Sequence, residues 1–504
     1  MPRQQHIVPS DVLLVEGIGD HPVHRNGGAA SSFRSPVPAR RHAPRVAVVG
    51  LGYVGLPTAL GMWESGASVV GIDASRARLA AIRECQVDLL APDLGRLAGA
   101  LDQPDAFKLS AKPATLRHAD AILICVPTPV DGHRSPDLAM LRAACATVVE
   151  HARPGQVIVL TSTSYPGSTR EMLTVPLEAR GLIAGENIYV ASGPERIDPG
   201  NGVFPQRSVP RVVGGVTPEC TRRAASLLRL IAPHVHSVSS PEAAEMTKLV
   251  ENSFRAVNIA FANEMAEVAS SLDLSISEII DAAATKPYGF MPFYPGSGVG
   301  GHCIPCDPHY LLWRLRANQI EAPILTEAMA AIAKRPHDIV SHISQALSAV
   351  GRGIRGSRVL VVGVAYKPGV RDVRESPALE ILVEIADLGG HVDYFDPLVS
   401  SLTLDEERVL FSVAEPDAAA YDLVLIHTLH PSANYDWLAS ARCVLDPADR
   451  HGVDRHTRQE RASVRELVGA RDFGAGVDLA SETSTADGRT RRTAKRTVAL
   501  AIEG

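Results

Sequence analysis

A glycine-rich turn between a buried strand and a helix is the feature that most restricts how this chain can fold. Residues 45–49 are apolar and mostly β-branched, which predicts a buried strand. The motif Gly50-Leu-Gly-Tyr-Val-Gly55 follows directly, and a helical stretch comes after it. A second predicted strand, 68–72, ends at Asp73, which lies 23 residues after Gly50. This order and spacing predict a βαβ unit that binds a dinucleotide.

Each position in this turn has a physical role in cofactor binding. The first glycine permits the tight turn, the second lets a pyrophosphate approach the backbone, and the third lets the helix pack closely on the strand. The helix N-terminus offers unpaired N–H groups to the phosphates. The Asp73 carboxylate suits ribose hydroxyls and would repel a 2′-phosphate, so NAD is the predicted cofactor. The predicted contacts in this unit are Gly50, Gly52, Tyr53, Val54, Gly55, Asp73 and Arg78.

Length and composition limit the class of protein. A chain of 504 residues is expected to form two to four domains, at about 150 residues each. With 50 Lys and Arg against 56 Asp and Glu, the net charge is -6, which argues against a nucleic-acid partner. We find no apolar run near the roughly 20 residues that span a bilayer, and no signal peptide. The seven cysteines are too sparse for a disulfide scaffold, so we expect a soluble cytoplasmic protein.

The pattern of strands and helices predicts an α/β fold with two Rossmann-like doubly wound domains joined by a long central helix. In the first domain, predicted strands at 121–125, 156–160 and 187–190 alternate with helical stretches, which is typical of a parallel sheet. Ligands of such sheets bind at the carboxyl ends of the strands. The residues predicted to converge on the cofactor there are Pro127, Thr128, Ser162, Thr163 and Glu195.

Changes in composition divide the chain into five predicted segments. The two ends have no sustained periodicity and are expected to be flexible. The second α/β segment lacks a glycine turn of the first kind, so we expect it to bind something other than a dinucleotide, with Lys367 as a candidate phosphate contact. The segments are a flexible N-terminal extension (1–43), an NAD-binding Rossmann domain (44–235), a central helical domain (236–335), a second α/β domain (336–450) and a flexible C-terminal tail (451–504).

The central segment begins with an uninterrupted helical stretch, 242–272, that contains no Pro or Gly. Lys248 and Asn252 are four residues apart, so they share one face of the predicted helix. A cation beside an amide on a mostly apolar helix can stabilise a developing oxyanion. An exposed polar stripe would explain the same pair without any chemistry, and the helical spacing alone leaves both interpretations open.

A loop rich in Gly and Pro, 286–301, precedes Cys303. Glycine at this density predicts that the backbone approaches a ligand, and the aromatic residues of the loop can line a pocket for it. Four interpretations of Cys303 are open. It can be a nucleophile with Asp307 four residues on, a redox partner of Cys306, a zinc ligand together with the flanking histidines, or inert. The spacing favours the nucleophile, since a second group of ligands at conventional zinc spacing is missing.

A series of short motifs stands in order between about residues 44 and 446. They are Gly50-Leu-Gly-Tyr-Val-Gly-Leu-Pro57, Val126-Pro-Thr-Pro129, Ser162-Thr-Ser-Tyr-Pro-Gly167, Gly193-Pro-Glu-Arg-Ile-Asp-Pro-Gly200, the helix with Lys248 and Asn252, Gly300-Gly-His-Cys-Ile-Pro305 with Asp307, and Ala365-Tyr-Lys367 with Arg374-Glu-Ser-Pro377. Together they resemble the nucleotide-sugar dehydrogenases, the UDP-glucose/GDP-mannose dehydrogenase family. The loop 285–295 looks most like the branch that acts on UDP-N-acetylglucosamine.

The resemblance implies a two-step, NAD-dependent oxidation of a C6 alcohol to a carboxylate through a thioester, which consumes two NAD and one water. It also implies a UDP-sugar substrate held by the third domain, a homodimer or higher oligomer formed through the long helix, no metal, and a place in surface polysaccharide synthesis. The catalytic residues implied are Cys303, Lys248, Asn252, Glu195, Asp307 and Thr163. The substrate-binding residues implied are Arg196, Tyr294, Gly296, Gly298, Gly300 and Lys367, while Arg374 is expected to reach the cofactor.

Other functions are compatible with part of this pattern. UDP-glucose, UDP-N-acetylgalactosamine and UDP-N-acetylmannosamine are alternative substrates. A two-electron hydroxyacid-type dehydrogenase would share the NAD domain and the helix lysine, but it leaves Cys303 and the third segment without a role. A non-catalytic protein that binds NAD and a UDP-sugar is the non-enzymatic alternative, and the intact set of catalytic residues argues against it. The chain departs from the family at Cys306, where an apolar residue is usual.

Overall fold

The computed structural model describes residues 43–87, 89, 91–196, 208–301, 303–405, 408–431 and 433–448. The two segments that we predict to be flexible, 1–43 and 451–504, lie outside these residues except for Ala43. Within the described ranges we find no helix that combines the length and the apolar content needed to cross a bilayer.

The NAD-binding segment contains six strands in the arrangement that its sequence predicts. They are β1 (Arg45–Val49), β2 (Ser68–Ile72), β3 (Phe107–Ser110), β4 (Ala121–Ile124), β5 (Val157–Leu160) and β6 (Tyr189–Ser192). Their order in the sheet is β3-β2-β1-β4-β5-β6, and all of these pairings are parallel. This is the order of a dinucleotide-binding Rossmann fold, in which the cofactor site lies where the order reverses, between β1 and β4.

The sheet departs from an all-parallel arrangement beyond β6. Here β7 (Arg211–Gly215) pairs antiparallel with β6, and β8 (Val235–Val238) pairs parallel with β7. An antiparallel strand added to a parallel sheet is common in large α/β folds. The sequence does not predict the reversal because a short buried strand has the same apolar composition in either direction.

Helices cover both faces of this sheet. They are α1 (Gly55–Glu64), α2 (Arg76–Arg83), α3 (Ala91–Leu101), α4 (Ala139–His151), α5 (Val175–Glu178) and α6 (Pro218–Leu228). Alternate residues of β1 enter different cores: Val46 and Val48 pack with α1, α2, α3 and α6, whereas Ala47 and Val49 pack with α4 and α5. This alternation is the two-residue period of a strand that is buried on both faces.

The central segment is dominated by α7 (Pro241–Ser271), a helix of 31 residues that is about 46 Å long at 1.5 Å per residue. It starts and ends one residue before the predicted range, 242–272. Ser240 caps it, because its Oγ accepts a hydrogen bond from the backbone N–H of Ala243 at 3.2 Å. Two further helices, α8 (Ile276–Ala284) and α9 (Asp307–Ala317), stand on either side of the glycine-rich loop.

A second long helix, α10 (Pro323–Ala349), crosses the proposed boundary between segments 236–335 and 336–450. Its first half, to Ile332, packs in the core that α7 and α9 share with the first sheet. Its second half, from Ile339, packs in the core of the second sheet. The proposed boundary therefore falls inside a continuous helix, at the point where that helix passes from one core to the other.

The third segment forms a smaller parallel sheet. Its elements are β9 (Arg358–Val362), α11 (Pro377–Asp387), β10 (His391–Phe395), β11 (Ser401–Thr403), β12 (Val409–Phe411), β13 (Leu423–Ile426) and β14 (Val444–Leu445). The strand order is β10-β9-β13-β14, and β11 with β12 forms a separate antiparallel hairpin. Gly363, directly after β9, has a φ of +78°, and a Cβ there would lie 1.8 Å from the carbonyl oxygen of Thr428. This second α/β domain completes the predicted fold class.

Candidate active site

The glycine turn of the first domain has the geometry that its spacing predicts. Gly50 has a φ of +85°, a conformation that favours glycine. A Cβ at Gly55 would lie 1.8 Å from the carbonyl oxygen of Gly50, so α1 can start against the turn only without a side chain there. A Cβ at Gly52 would meet no atom within 4 Å. The space beside Gly52 is therefore open, as the approach of a pyrophosphate requires.

Asp73 ties the end of β2 to the same turn. Its Oδ2 accepts a hydrogen bond from the backbone N–H of Leu51 at 2.9 Å, and its Oδ1 accepts one from Ser75 at 2.8 Å. A carboxylate offers about four acceptor sites, so two of them are occupied by these bonds and ribose hydroxyls can use the others. Arg78 donates from Nε to the carbonyl oxygen of Leu51 at 3.0 Å, so it braces the turn.

Two loops at the ends of strands are joined beside this turn. Ser162 donates from Oγ to the carbonyl oxygen of Val126 at 2.8 Å, which links the ends of β4 and β5. Tyr310, which is buried on α9, donates its hydroxyl to the carbonyl oxygen of Pro129 at 3.1 Å. The central segment is thereby attached to the cofactor loop. The other predicted residues of these two loops are exposed or half-buried: Pro127, Thr128 and Thr163.

Arg374 reaches the cofactor turn from the second α/β domain. Its guanidinium carbon lies 4.1 Å from the centroid of the Tyr53 ring, a cation–π geometry, and its charge pairs with Asp372 at 2.5 Å. Val54 beside Tyr53 is partly buried. The structure thus brings Arg374 to the edge of the predicted NAD site, and its contact with NAD stays a prediction.

Lys248 and Asn252 lie on the buried face of α7, so an exposed polar stripe does not describe them. Asn252 donates from Nδ2 to Oδ2 of Asp307 at 2.5 Å. Asp307 is the first residue of α9 and is itself buried. A cation, an amide and a carboxylate from two helices therefore form one polar cluster inside the protein.

The pKa of the Asp307 carboxyl is raised to about 6, because burial penalises its charged form. The positive charge of Lys248 and the hydrogen bond from Asn252 oppose this shift without cancelling it. Asp307 therefore changes its protonation state near neutral pH. A group with that property is suited to accept and donate protons during a reaction.

Cys303 stands one helical turn before this cluster. The backbone N–H of Asp307 donates to the carbonyl oxygen of Cys303 at 2.8 Å, and the Cys303 side chain is partly exposed. Cys306 is buried, and burial raises the pKa of its thiol to about 12, so that thiol stays protonated at neutral pH. Of the two cysteines, Cys303 is the accessible one, as a nucleophile that must reach a substrate requires.

Two of the predicted features can be examined only in part. In the described residues no group of three His, Cys, Asp or Glu side chains could hold a metal ion, while His302 lies outside those residues. His309 is buried, and burial lowers its pKa to about 4, so its ring is neutral at neutral pH. Residues 197–200, the end of the motif that starts at Gly193, are also outside the described ranges.

Glu195 forms a buried ion pair that the sequence analysis missed. Its Oε2 lies 2.6 Å from Nη1 of Arg211, and both side chains are almost fully buried. Arg211 comes from β7, the strand that runs antiparallel to β6. The one available signal was an arginine at the start of an otherwise apolar strand, and the partner could not be inferred without knowing the direction of that strand.

Arg196 connects the end of β6 to the central helix. Its Nη2 lies 2.6 Å from Oε1 of Glu251, and its Nη1 donates to the carbonyl oxygen of Pro210 at 2.8 Å. Glu251 precedes Asn252 on α7. Arg196, which we predict to bind substrate, thus already has a carboxylate partner on α7.

A second missed residue, Glu245, attaches the loop that follows Ser162 to α7. This buried carboxylate accepts a hydrogen bond from the N–H of Gly167 at 2.7 Å and one from the Ser168 hydroxyl at 2.8 Å. It also accepts from the N–H and the hydroxyl of Thr169, at 2.8 and 2.6 Å. Four donors to one carboxylate compensate for its burial. Glu245 lies one turn before Lys248, so it holds the strand-end loop next to the buried face of the helix that carries Lys248 and Asn252.

Two glycines of the glycine-rich loop pack closely against the protein, while the predicted approach of the loop backbone to a ligand stays a prediction. Gly298 has a φ of +142°, and a Cβ there would lie 2.7 Å from Cγ of Pro377. A Cβ at Gly300 would lie 2.6 Å from the carbonyl oxygen of Glu375. At Gly296 no atom would come within 4 Å. The loop backbone thus fits against the segment that leads into α11.

Two further predicted substrate contacts, Tyr294 and Lys367, have neighbours within the protein. The Tyr294 hydroxyl donates to Oδ1 of Asp281, a residue of α8, at 2.7 Å. Lys367 Nζ lies 5.8 Å from the centroid of the Tyr366 ring, and that ring lies against Gly301 of the loop. Lys367 is therefore close to the loop, whereas Tyr294 is held towards α8.

Comparison with known proteins identifies the class that this fold and site define. Models of the UDP-glucose/GDP-mannose dehydrogenase family match three consecutive parts of the chain. The NAD binding domain matches residues 44–232, the central domain 242–332, and the UDP binding domain 360–449. The molecule is a nucleotide-sugar dehydrogenase.

The chain belongs to the UDP-glucose/GDP-mannose dehydrogenase family and is an NAD-dependent UDP-sugar dehydrogenase, an oxidoreductase. UDP-N-acetyl-D-glucosamine 6-dehydrogenase of Pseudomonas aeruginosa is 34% identical over 388 residues, 77% of this chain and 90% of that protein. UDP-N-acetyl-D-mannosamine dehydrogenase of Salmonella typhi is 33% identical over 357 residues, 68% of this chain and 82% of that protein. The structure of UDP-D-ManNAc dehydrogenase from Pyrococcus horikoshii superposes with a TM-score of 0.73 at 30% identity, covering 83% of this chain and 98% of that one.

Two alanine substitutions in the glycine turn should affect different properties: one should weaken NAD binding and the other should lower stability. Gly52→Ala should leave the free energy of unfolding nearly unchanged, because a Cβ there would meet no atom within 4 Å. It should weaken NAD binding about tenfold or more, because the new methyl group would block the approach of the pyrophosphate. Gly55→Ala overlaps a backbone carbonyl and lowers the free energy of unfolding by about 1–3 kcal/mol. Calorimetric titration with NAD and chemical denaturation measure the two effects. Equal stability of the two variants would contradict this account.

The pKa of Asp307 predicts a pH dependence. Below about pH 6 the carboxyl is protonated and cannot accept a proton, so the rate of sugar oxidation should rise with pH through that value. The residual activity of Asp307→Asn should lack this limb because the amide does not titrate. Rates at saturating substrate between pH 5 and 8 test the prediction in both proteins. An unchanged limb in the variant would assign it to another group.

Proposed function

We propose that this enzyme oxidises the C6 hydroxyl of UDP-N-acetylglucosamine to a carboxylate, by a four-electron reaction through a thioester on Cys303. The observation that carries the proposal is the buried cluster of Lys248, Asn252 and Asp307, one helical turn from a partly exposed thiol. An oxyanion site, a proton-transfer group and a nucleophile are what such a reaction requires at one carbon.

The residues divide the chemistry into two oxidations and a hydrolysis. In the first oxidation C6 would give up a hydride and its hydroxyl would give up a proton to a base, which leaves an aldehyde. The Cys303 thiolate would add to the aldehyde, and loss of a second hydride from the hemithioacetal would give a thioester; NAD, bound twice in succession, would supply the acceptor for both hydrides. Water then releases the carboxylate and the thiol. A thiolate suits this sequence because it adds readily to a carbonyl and leaves in the last step.

The side chains around the thiol supply the electrostatics. Lys248 and the amide of Asn252 would stabilise the negative oxygen in each tetrahedral species. Asp307, whose pKa is about 6, would exchange protons with the substrate oxygen and the attacking water, and Thr163 and Glu195 would hold that water. NAD bound at the glycine turn supplies the hydride acceptor, and the sugar nucleotide would lie between the loop at Gly296 and Lys367.

The choice of hexose rests on the loop 285–295 and on the similarity to the enzyme of Pseudomonas aeruginosa, which is named for UDP-N-acetyl-D-glucosamine. Several relatives of nearly equal identity are named for UDP-N-acetyl-D-mannosamine, so that epimer is the second candidate substrate. The two sugars differ in configuration at C2, which is distant from the oxidised C6. Both substrates would use the same catalytic residues.

The test of the reaction is the yield of NADH per sugar. With limiting UDP-N-acetylglucosamine the absorbance at 340 nm should correspond to two NADH per sugar, and parallel assays with UDP-N-acetylmannosamine, UDP-N-acetylgalactosamine and UDP-glucose should give lower rates. One NADH per sugar would exclude the thioester half of the mechanism. No NADH with any of the four would favour a non-catalytic protein or another sugar nucleotide.

A pair of cysteine variants separates chemistry from binding. Cys303→Ala should lose at least a thousandfold in overall rate while it still binds the UDP-sugar, because no thioester can form. Cys306→Ala should retain the rate within about threefold, since its buried thiol stays protonated. Stopped-flow measurement of NADH formation compares the two. Equal loss in both variants would contradict the assignment of Cys303 as the nucleophile.

We also propose that the enzyme is a homodimer or larger oligomer formed through the outer face of α7. Val250, Phe254, Phe261 and Val268 are exposed on that helix at spacings that keep them on one side. An exposed apolar stripe of this length is typical of a protein–protein interface. Phe254 also packs edge-on against Phe293 of the glycine-rich loop, with ring centroids 5.9 Å apart.

A charge in this stripe should prevent association. Phe261 is 56% exposed on α7. Phe261→Glu should convert the oligomer to a monomer, because a dimer formed through this face would bury two carboxylates. Light scattering after gel filtration measures the mass of the two proteins. Phe411→Glu is the matched control, since Phe411 is 72% exposed on the β11–β12 hairpin. A monomeric wild-type protein, or dissociation by the control alone, would contradict the proposed interface.

A further inference from the structure

Both backbone polar groups of Gly296 are held by side chains from two different helices. Its N–H donates to Oδ1 of Asn263 on α7 at 3.0 Å. Its carbonyl oxygen accepts a hydrogen bond from Nε of Arg335 on α10 at 2.9 Å. The two peptide groups that flank the Gly296 Cα, one on each side, are therefore each fixed by one hydrogen bond.

The arginine in this arrangement is unusual because it is only 4% exposed. A buried guanidinium needs partners, and the Gly296 carbonyl supplies one of them. Glu267 on α7 supplies the second, with Oε1 2.6 Å from Nη1 of Arg335. Glu267 is itself bridged to His342, whose Nε2 lies 3.1 Å from Oε2. The position of Arg335 is thus set by a network that joins α7 and α10.

The residues next to Gly296 have little freedom to compensate for a lost contact. Gly298 is in a conformation that favours glycine, and a Cβ there would press on Pro377 at 2.7 Å and lie 3.8 Å from Pro336. Pro336 follows Arg335 directly on α10. The same short region of α10 therefore contacts the loop twice, once through a hydrogen bond and once through packing.

We propose that Arg335 and Asn263 are positioning residues that hold the backbone of Gly296 and thereby set the affinity of the enzyme for its sugar nucleotide. The inference rests on the proposed function in one respect, the assignment of the loop from Tyr294 to Gly300 to the substrate. The two residues contact the loop backbone and act on the substrate through it. Arg335 contributes a charge-assisted hydrogen bond to the Gly296 carbonyl oxygen, and Asn263 contributes an acceptor for the Gly296 N–H.

The experiment compares three variants of the full-length enzyme. Arg335→Met removes both donors and keeps an apolar stem of similar length, and Asn263→Ala removes the acceptor. Lys334→Met is the control, because Lys334 is the adjacent cation of α10, is 69% exposed and forms its ion pair with Asp338 of the same helix. Arg335→Lys is the conservative variant, which keeps one charge without the fork that reaches two acceptors.

Two readouts distinguish positioning from general destabilisation. Hydrogen exchange followed by mass spectrometry reports the order of the peptide that covers residues 290–301. Steady-state kinetics report KM for UDP-N-acetylglucosamine and UDP-N-acetylmannosamine separately from KM for NAD. A merely structural role would change thermal stability without a selective effect on one substrate.

We expect faster exchange in residues 290–301 and a KM for the sugar nucleotide raised about tenfold or more in Arg335→Met and Asn263→Ala. The KM for NAD should stay within about twofold and kcat within about threefold, because the cofactor turn and the polar cluster are untouched. Arg335→Lys should fall between wild type and Arg335→Met, and Lys334→Met should match wild type in every readout.

The proposal is overturned if Arg335→Met matches Lys334→Met in exchange and in KM, or if exchange rises while KM for the sugar nucleotide is unchanged. Should Arg335→Met fail to fold, Asn263→Ala and Arg335→Lys decide the question. If the wild-type enzyme binds the UDP-sugars without oxidising them, the proposed function fails and calorimetric Kd values replace KM. If it binds neither UDP-sugar, the assignment of the loop to the substrate fails and the positioning proposal fails with it.

Discussion

A carboxylate buried between a lysine and an amide is the interaction on which the rest of the site depends. The Asp307 carboxylate can be buried because Asn252 donates a hydrogen bond to it and the positive charge of Lys248 is near. Without these partners the burial of this carboxylate would cost a large amount of free energy. α7 supplies both partners, and α9 begins at the carboxylate. The packing of the two helices and the polar cluster therefore form together, and Cys303 is carried to its place one turn earlier.

Other buried charges join the remaining parts of the enzyme to this centre. Arg211 forms an ion pair with Glu195 at the end of β6. Glu245 accepts hydrogen bonds from the loop that follows β5, and Arg335 donates a hydrogen bond to the carbonyl oxygen of Gly296. Each is a charge removed from water whose partner belongs to a different element. Losing one partner leaves the other buried and unpaired, which costs more than the pair contributes. The site is consequently surrounded by contacts that tolerate little displacement.

Much of the fold and part of the site could be predicted because they depend on short-range patterns. The turn from Gly50 to Gly55, the parallel strands and the position of α7 all follow from spacing along the chain. The glycine-rich loop is predicted to approach a ligand, and the structure adds that a Cβ at Gly298 or Gly300 would overlap the segment around the start of α11. A glycine can indicate that there is no room for a side chain, but it does not indicate whether a ligand or another part of the protein fills the space.

The sequence by itself determined the family and the cofactor, and it supplied the candidates for the reactive residues, because each of these is carried by short motifs whose members are close along the chain. The tertiary structure decided the direction of β7, the partner of Glu195, the burial that raises the pKa of Asp307, and the hydrogen bonds that hold the backbone of Gly296. Each of these joins residues that are distant along the chain. Local spacing does not encode such contacts, since they arise only when separate helices and sheets pack and exclude water between them.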